Sequence, residues 1–242
     1  MIWINIAIAA EPTPKAQVSF VSSEKQVTLL ELYSSQGCSS CPPAQHWVNA
    51  LAQNPSLWEE IIPVVFHVDY WDYIGWQDPF GHAEYSQRQR AYRNSKAINS
   101  VYTPGFVVNG SEWTGWFAGH DLSLQGSEVG VLKTSLVNDK LHVSFDSDSS
   151  QNLTVNIAVL GFDLFTKVRR GENARKTLED NFVVLAMKSQ EFDNNGTYDL
   201  PDYSALKCRL AKKGTVIEKT ALVVWLANAD NASPVQAVGG YL

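Results

Sequence analysis

The order in which apolar segments follow one another constrains this chain more than any other feature. Residues 27–33 (VTLLELY) are apolar and stop at a Ser-Ser-Gln-Gly cluster, the pattern of a buried strand running into a turn. Residues 41–52 (CPPAQHWVNALA) place Ala44, Trp47, Val48 and Leu51 at helical spacing. Their two prolines fall in the first turn, where a missing N–H is tolerated. Residues 61–68 (IIPVVFHV) predict a second buried strand, and residues 82–95 a second helix with Tyr85, Arg88 and Tyr92 on one side. Residues 106–108 followed by Asn109-Gly110 form a strong hairpin signal. Strand, helix, strand, helix, hairpin is an α/β order.

After about residue 125 the pattern changes. Short strands are predicted at 132–137, 141–145, 153–160, 164–169, 182–188, 196–200 and 222–227, separated by polar turns such as 138–139, 146–151 and 193–196. Leu141, Val143 and Phe145 alternate cleanly with His142 and Ser144. Strands at this spacing without long helices predict an all-β antiparallel, sandwich-like domain at 126–242, after an α/β domain at 21–125.

Composition removes several alternatives. Eight Trp, nine Tyr and ten Phe in 242 residues supply far more buriable surface than a disordered chain carries. Three cysteines cannot form a disulfide framework for a chain of this length. A net charge of −6 with no long Lys or Arg run argues against nucleic acid as a partner. Residues 1–10 (MIWINIAIAA) are apolar and end in small residues, like the core and cleavage zone of a secretory signal, although a basic start is missing. Residues 1–20 are accordingly read as a signal remnant or tail, and the protein as periplasmic or secreted. No stretch approaches the roughly 18 apolar residues of a membrane span, so no integral membrane segment is expected.

The chemistry candidate is Gly37-Cys38-Ser39-Ser40-Cys41-Pro42-Pro43, where a strand ends and a helix begins. Cysteines at i and i+3 across a helix start fall on one side, close enough for a disulfide. The unpaired N–H groups and partial positive charge of the helix end stabilise a thiolate. Cys38, expected to be the more exposed, would attack first, and Cys41 would resolve the mixed disulfide. Gly37 would leave room for a partner chain. Two other readings stay open on the residues alone: half of a zinc site completed by two of His46, His67, His82, Asp69 and Cys208, or inert structural thiols. Arg88, Arg90 and Arg93 read as a solvated helix face, or as contacts for an acidic ligand, and Cys208 (ALKCRL) as a buried small apolar residue of the sandwich. The aromatic stretch at 70–80 (YWDYIGWQDPF) reads as a plug between the two domains, or as a wall beside the thiols.

LELYSSQGCSSCPP resembles the thioredoxin-like superfamily and, more closely, the exported bacterial family DUF1223. VDYWDYIGWQDPF (68–80), QRQRAY (87–92), VYTPGFVVNG (101–110) and RGENARKTLEDN (170–181) extend the resemblance to DUF1223. It implies an α/β thioredoxin-like domain for residues 21–125. It also implies a cis-proline facing the thiols, which Thr103-Pro104 would supply, its backbone pairing with an extended substrate and shielding the thiols from metal. A buried acid that exchanges protons with the resolving cysteine would be Glu31, in the strand before the motif, although it lies one residue further from Cys38 than the usual interval.

The expected activity is thiol–disulfide exchange with protein or peptide thiols and a redox partner, using Cys38, Cys41 and Glu31, with Gly37, Thr103 and Pro104 on the substrate side and neither cofactor nor metal. The alternative is a non-catalytic binding module for metal delivery or protein docking.

Overall fold

The computed structural model describes residues 18–147 and 152–242. The apolar start at 1–10 and residues 148–151 of one expected turn lie outside the described residues. In chain order the strands are β1 (Val18–Val21), β2 (Thr28–Ser34), β3 (Ile61–His67), β4 (Gly105–Val108), β5 (Ser111–Glu112), β6 (Val131–Val137) and β7 (Lys140–Asp146). They continue with β8 (Leu153–Phe162), β9 (Leu164–Lys167), β10 (Thr177–Asp180), β11 (Val183–Glu191), β12 (Gly196–Asp199), β13 (Lys219–Asn228) and β14 (Pro234–Tyr241). The helices are α1 (Cys41–Ala50), α2 (Ala83–Asn94) and α3 (Ser204–Ala211).

This mostly β architecture corrects the expectation of a thioredoxin-like α/β domain followed by a separate sandwich. One eight-stranded mixed sheet, in the order β14-β13-β8-β11-β3-β2-β4-β5, takes strands from both halves of the chain. The halves meet where β11 runs parallel to β3, with Val183 opposite Val65 and the Val65 N–H donating to the Phe182 carbonyl at 2.9 Å. The reason is visible in burial. The middle of β13 and nearly all of β8 are buried on both faces, so these strands belong in the interior of a sheet covered on two sides. A second sheet, β1-β6-β7-β12, covers one face through Leu132, Leu141, Val143 and Phe145, against Val155, Ile157, Leu222 and Val224. β9 and β10 form a separate antiparallel pair, whose connecting loop returns to the Cys38 region.

The two main helices take opposite faces of the large sheet. Leu32 is paired with Phe106, and Trp47 of α1 meets Phe106 edge-on at 5.7 Å, which puts α1 on the Leu32 face. Glu31 and Tyr33 alternate to the other face. There Tyr33 stacks on Phe66, and the Arg88 guanidinium of α2 lies 5.3–5.4 Å from the Phe66, Tyr92 and Trp225 rings. Arg88 therefore packs on both β3 and β13, and is not part of a solvated face. Cys208 departs from expectation too: it lies on α3, exposed and unpaired. No helix among the described residues is long and apolar enough to cross a membrane.

Candidate functional site around the Cys38–Cys41 disulfide

Parallel strands β2 and β3 end side by side, with Ser34 opposite His67. The chain leaves β2 through a tight turn in which the Cys38 N–H donates to the Ser35 carbonyl at 3.1 Å. It then enters α1 at Cys41, with proline in the first turn. This brings Cys38 and Cys41 into a disulfide with a Cα–Cα distance of 5.5 Å. The carboxyl ends of parallel strands are where such sheets leave a crevice.

Four segments surround the pair. The turn at 35–40 holds it from below. The Thr103-Pro104 peptide, which is cis, puts the Thr103 carbonyl oxygen 3.7 Å from Cys38 Sγ. The Ser40 hydroxyl lies 3.3 Å from the same sulfur. From the aromatic stretch, Trp71 Nε1 donates to Thr103 Oγ1 at 2.7 Å and Trp76 Nε1 donates to Gln36 Oε1 at 3.3 Å. The β9–β10 loop closes the ring. Asn173 Nδ2 donates to the carbonyls of Gln36 and Cys38 at 3.0 and 2.8 Å, and the Ser39 N–H donates to the Glu172 carboxylate at 3.0 Å.

Cys38 and Cys41 are 1 % and 2 % exposed, so Cys38 is not the more open of the two. Gly37 serves a neighbour inside the chain. A Cβ there would lie 3.1 Å from Trp71 Cβ and 3.4 Å from Ile74 Cδ1, so the absent side chain lets the aromatic segment close on the turn.

Sequence reasoning missed the polar layer under this ring. Gln36 is 1 % exposed and uses every polar group it has. Its N–H donates to Asp78 Oδ2 at 2.7 Å and its Nε2 to Asp180 Oδ2 at 2.7 Å, while Oε1 and the backbone carbonyl accept from Trp76 and Asn173. Asp78 also pairs with His67 Nδ1 at 2.8 Å. The neighbouring Asp78 charge raises the His67 pKa against the opposing pull of burial, and Asp78 is lowered in turn by His67 and by N–H bonds from Gln36 and Phe80. Among the described residues Asp180 has no cation as close as His67 is to Asp78, and burial pushes its carboxyl up to about 6, with His67 opposing. These contacts join residues far apart in the chain, and their one sequence signal was that 68–80 and 170–181 belonged to the stretches quoted for the resemblance.

The structure thus gathers Gly37, Cys38, Cys41, Thr103 and Pro104 in one place. Glu31 is elsewhere, on the α2 face, where its two oxygens accept from Arg88 at 2.8 and 2.9 Å and from the hydroxyls of Tyr33 and Tyr92 at 2.7 Å each. Among the described residues no three His, Cys, Asp or Glu side chains form a cluster able to hold a metal, so the donors considered from sequence do not converge on the pair.

The family described as "Protein of unknown function (DUF1223)" matches residues 29–227, a span containing every one of these segments. The chain belongs to that family. Its structure is similar to the crystal structure of Protein AGR_C_4864 from Agrobacterium tumefaciens, at 22 % identity and a TM-score of 0.55, over 91 % of this chain and 96 % of that one. It is also similar to HBP35 of Porphyromonas gingivalis, at 13 % identity and a TM-score of 0.55, over 91 % of this chain and 76 % of that one. At these identities the likeness is one of fold. No curated protein matches the chain.

Proposed function

We propose that this member of the DUF1223 family is a thiol–disulfide oxidoreductase of the cell envelope, with Cys38 and Cys41 as its redox pair and protein or peptide thiols as its substrates. The observation that carries the reading is the disulfide itself, closed over three residues where a buried strand passes into a helix. The helix N-terminus favours negative charge on a sulfur released there. In this reading the Cys38 thiolate of the reduced pair attacks a partner disulfide and expels one partner sulfur as a thiolate, and Cys41 then attacks Cys38 Sγ, closing the Cys38–Cys41 disulfide and expelling the second partner sulfur reduced; the reverse sequence oxidises a partner dithiol. The Thr103 carbonyl, 3.7 Å from Cys38 Sγ, would accept an N–H from an extended partner chain in this reading. The cell-envelope location rests on the signal-like character of residues 1–10 alone.

The test is to replace Cys41 by Ser and look for partners covalently held on Cys38. Trapped mixed disulfides that are lost in Cys38→Ser support the reading. It fails if none is trapped and the Cys38 thiol titrates like a free cysteine at about 8.5.

A further inference from the structure

A cavity of about 260 Å³ is lined in part by Cys41 and by several polar residues, and not by Cys38. Its lining includes the buried residues Cys41, Gln45, His67 and Asp180 together with the exposed His46 and Glu179. Two buried atoms of these residues, His67 Nε2 and Gln45 Oε1, have no hydrogen-bond partner among the described residues. A cavity of this size, with polar atoms to spare, holds water.

Opening the disulfide creates a problem at this spot. When an external thiolate bonds to Cys38 Sγ, the S–S bond breaks and Cys41 departs as a thiolate holding the electron pair. At 2 % exposure that charge is poorly solvated by bulk water, and a proton must reach it. In the return step the Cys41 thiol must give the proton up before it can attack Cys38. Glu31 cannot do this from the opposite face of the sheet.

We propose that Asp180, with His67 beside it, is the acid–base group of the exchange, passing a proton through the cavity's water to Cys41 when the disulfide opens and taking it back when the disulfide closes. The inference rests on the redox reading above and deepens it. A carboxyl with a pKa near 6 is able to give and accept a proton close to neutrality. The charged or titratable groups around Asp180 are His67 at the end of β3, Asp78 from the aromatic segment, Glu179 on its own strand, and His46 and Cys41 from α1. Gln36, its direct hydrogen-bond donor, is neutral.

The experiment measures reduction of the oxidised full-length protein by dithiothreitol across pH, expressed per reductant thiolate. The wild type should react faster on the acid side of an inflection near 6, where Asp180 is protonated. Asp180→Asn, whose amide oxygen still accepts from Gln36, should lose the inflection and react at least tenfold more slowly at pH 5.5, yet match the wild type at pH 8. His67→Gln should keep the inflection but move it upward, because the cation that lowers Asp180 is gone. In a reduced Cys38→Ser background, Asp180→Asn should also lower the Cys41 thiol pKa, read from thiolate absorbance. A purely structural Asp180 would move neither the inflection nor that thiol. If the wild type exchanges without an inflection near 6, or Asp180→Asn retains it, the proton role is overturned and the redox reading stands. If the wild type does not exchange at any pH, the redox reading falls and takes this inference with it.

Discussion

Two buried charged clusters lie on opposite faces of the same sheet, a few residues apart in β2 and β3, and they are finished to different degrees. The Glu31–Arg88–Tyr33–Tyr92 cluster is closed: both carboxylate oxygens are bonded twice, and the guanidinium is stacked between aromatic rings of two strands. The His67–Asp78–Asp180–Gln36 cluster is open. It keeps a nitrogen without a partner among the described residues, holds a carboxyl pushed up to about 6, and borders a cavity that Cys41 helps to line. A fully satisfied buried network rigidifies, whereas one with spare capacity and a shifted acid is where chemistry is found. The acid in the strand before the cysteines belongs to the first kind, and the acid delivered from β10 to the second.

The largest effect expected from this contrast is in stability. Arg88→Ala should cost about 3–5 kcal/mol, because it strands the Glu31 carboxylate without its cation in the interior. Urea unfolding measures it. Replacing both partners together, Glu31→Leu with Arg88→Met, should cost less than Arg88→Ala alone, because no charge is then left unpaired. A loss under about 1 kcal/mol for the single change would mean the cluster is not the closed network described.

The open cluster should respond with the opposite sign. Asp180 has a folded pKa of about 6, above the roughly 3.9 of an unfolded aspartate, so the folded state binds more protons between those values. Stability contributed by this group is therefore full below about pH 4, falls as pH rises through 6, and stays lost above it. Asp180→Asn removes that penalty. The variant should match the wild type below about pH 4 and exceed it at pH 8 by up to about 3 kcal/mol, less what the charged bond from Gln36 contributes. Denaturation at the two pH values decides, and a variant weaker than the wild type at pH 8 would remove the basis for a shifted Asp180. A residue that improves stability when removed yet slows exchange is one retained for function.

How much of this could be read from sequence follows from the range of each contact. The strand–turn–helix frame of the cysteines was legible because it is local: apolar residues 27–33, prolines at 42 and 43, and apolar residues 61–68 each set their own conformation. Asn109-Gly110 and Asn138-Asp139 were legible for the same reason, since both turns need positive φ and have it. The shared sheet was not legible from alternation, which says how a strand faces a core but not which strands it joins. A signal did exist: 153–160 and 221–227 are nearly continuous apolar runs, unlike the alternating 141–145, and such runs mark strands covered on both faces. α3 escaped because its eight residues carry almost no apolar stripe, which left Cys208 assigned to the interior. Asp180 and Asn173 lie over 130 residues from Gln36, and no local pattern encodes that meeting.

Asn173 tests the lid of the open cluster. It is fully buried, and Asn173→Ala leaves the Gln36 and Cys38 carbonyls without the donor it provides, for an expected loss of about 1–3 kcal/mol. Its neighbour Glu172 is fully exposed, so Glu172→Gln should leave the melting temperature unchanged. The two scans should differ although the residues are adjacent. Equal destabilisation would mean that the loop, and not the Asn173 side chain, holds the turn.

The smallest effect concerns Gly37, which separates the turn from the aromatic segment carrying Asp78. An added methyl group meets Trp71 Cβ at 3.1 Å, close enough that Trp71 must shift by a few tenths of an ångström. Trp71 is half-buried and tied to Thr103 by a single hydrogen bond, so it has room to give. Gly37→Ala should therefore cost only about 1 kcal/mol. Because the same ring encloses Cys38, the shift should show in access as well, as a few-fold faster reduction by dithiothreitol with the pH inflection unchanged. A moved inflection would mean that the aromatic segment sets the protonation of the open cluster through Asp78, and would tie access and proton transfer into one device. An unchanged inflection with faster reduction would keep them separate, access being set on the Trp71 side and proton transfer on the Asp180 side.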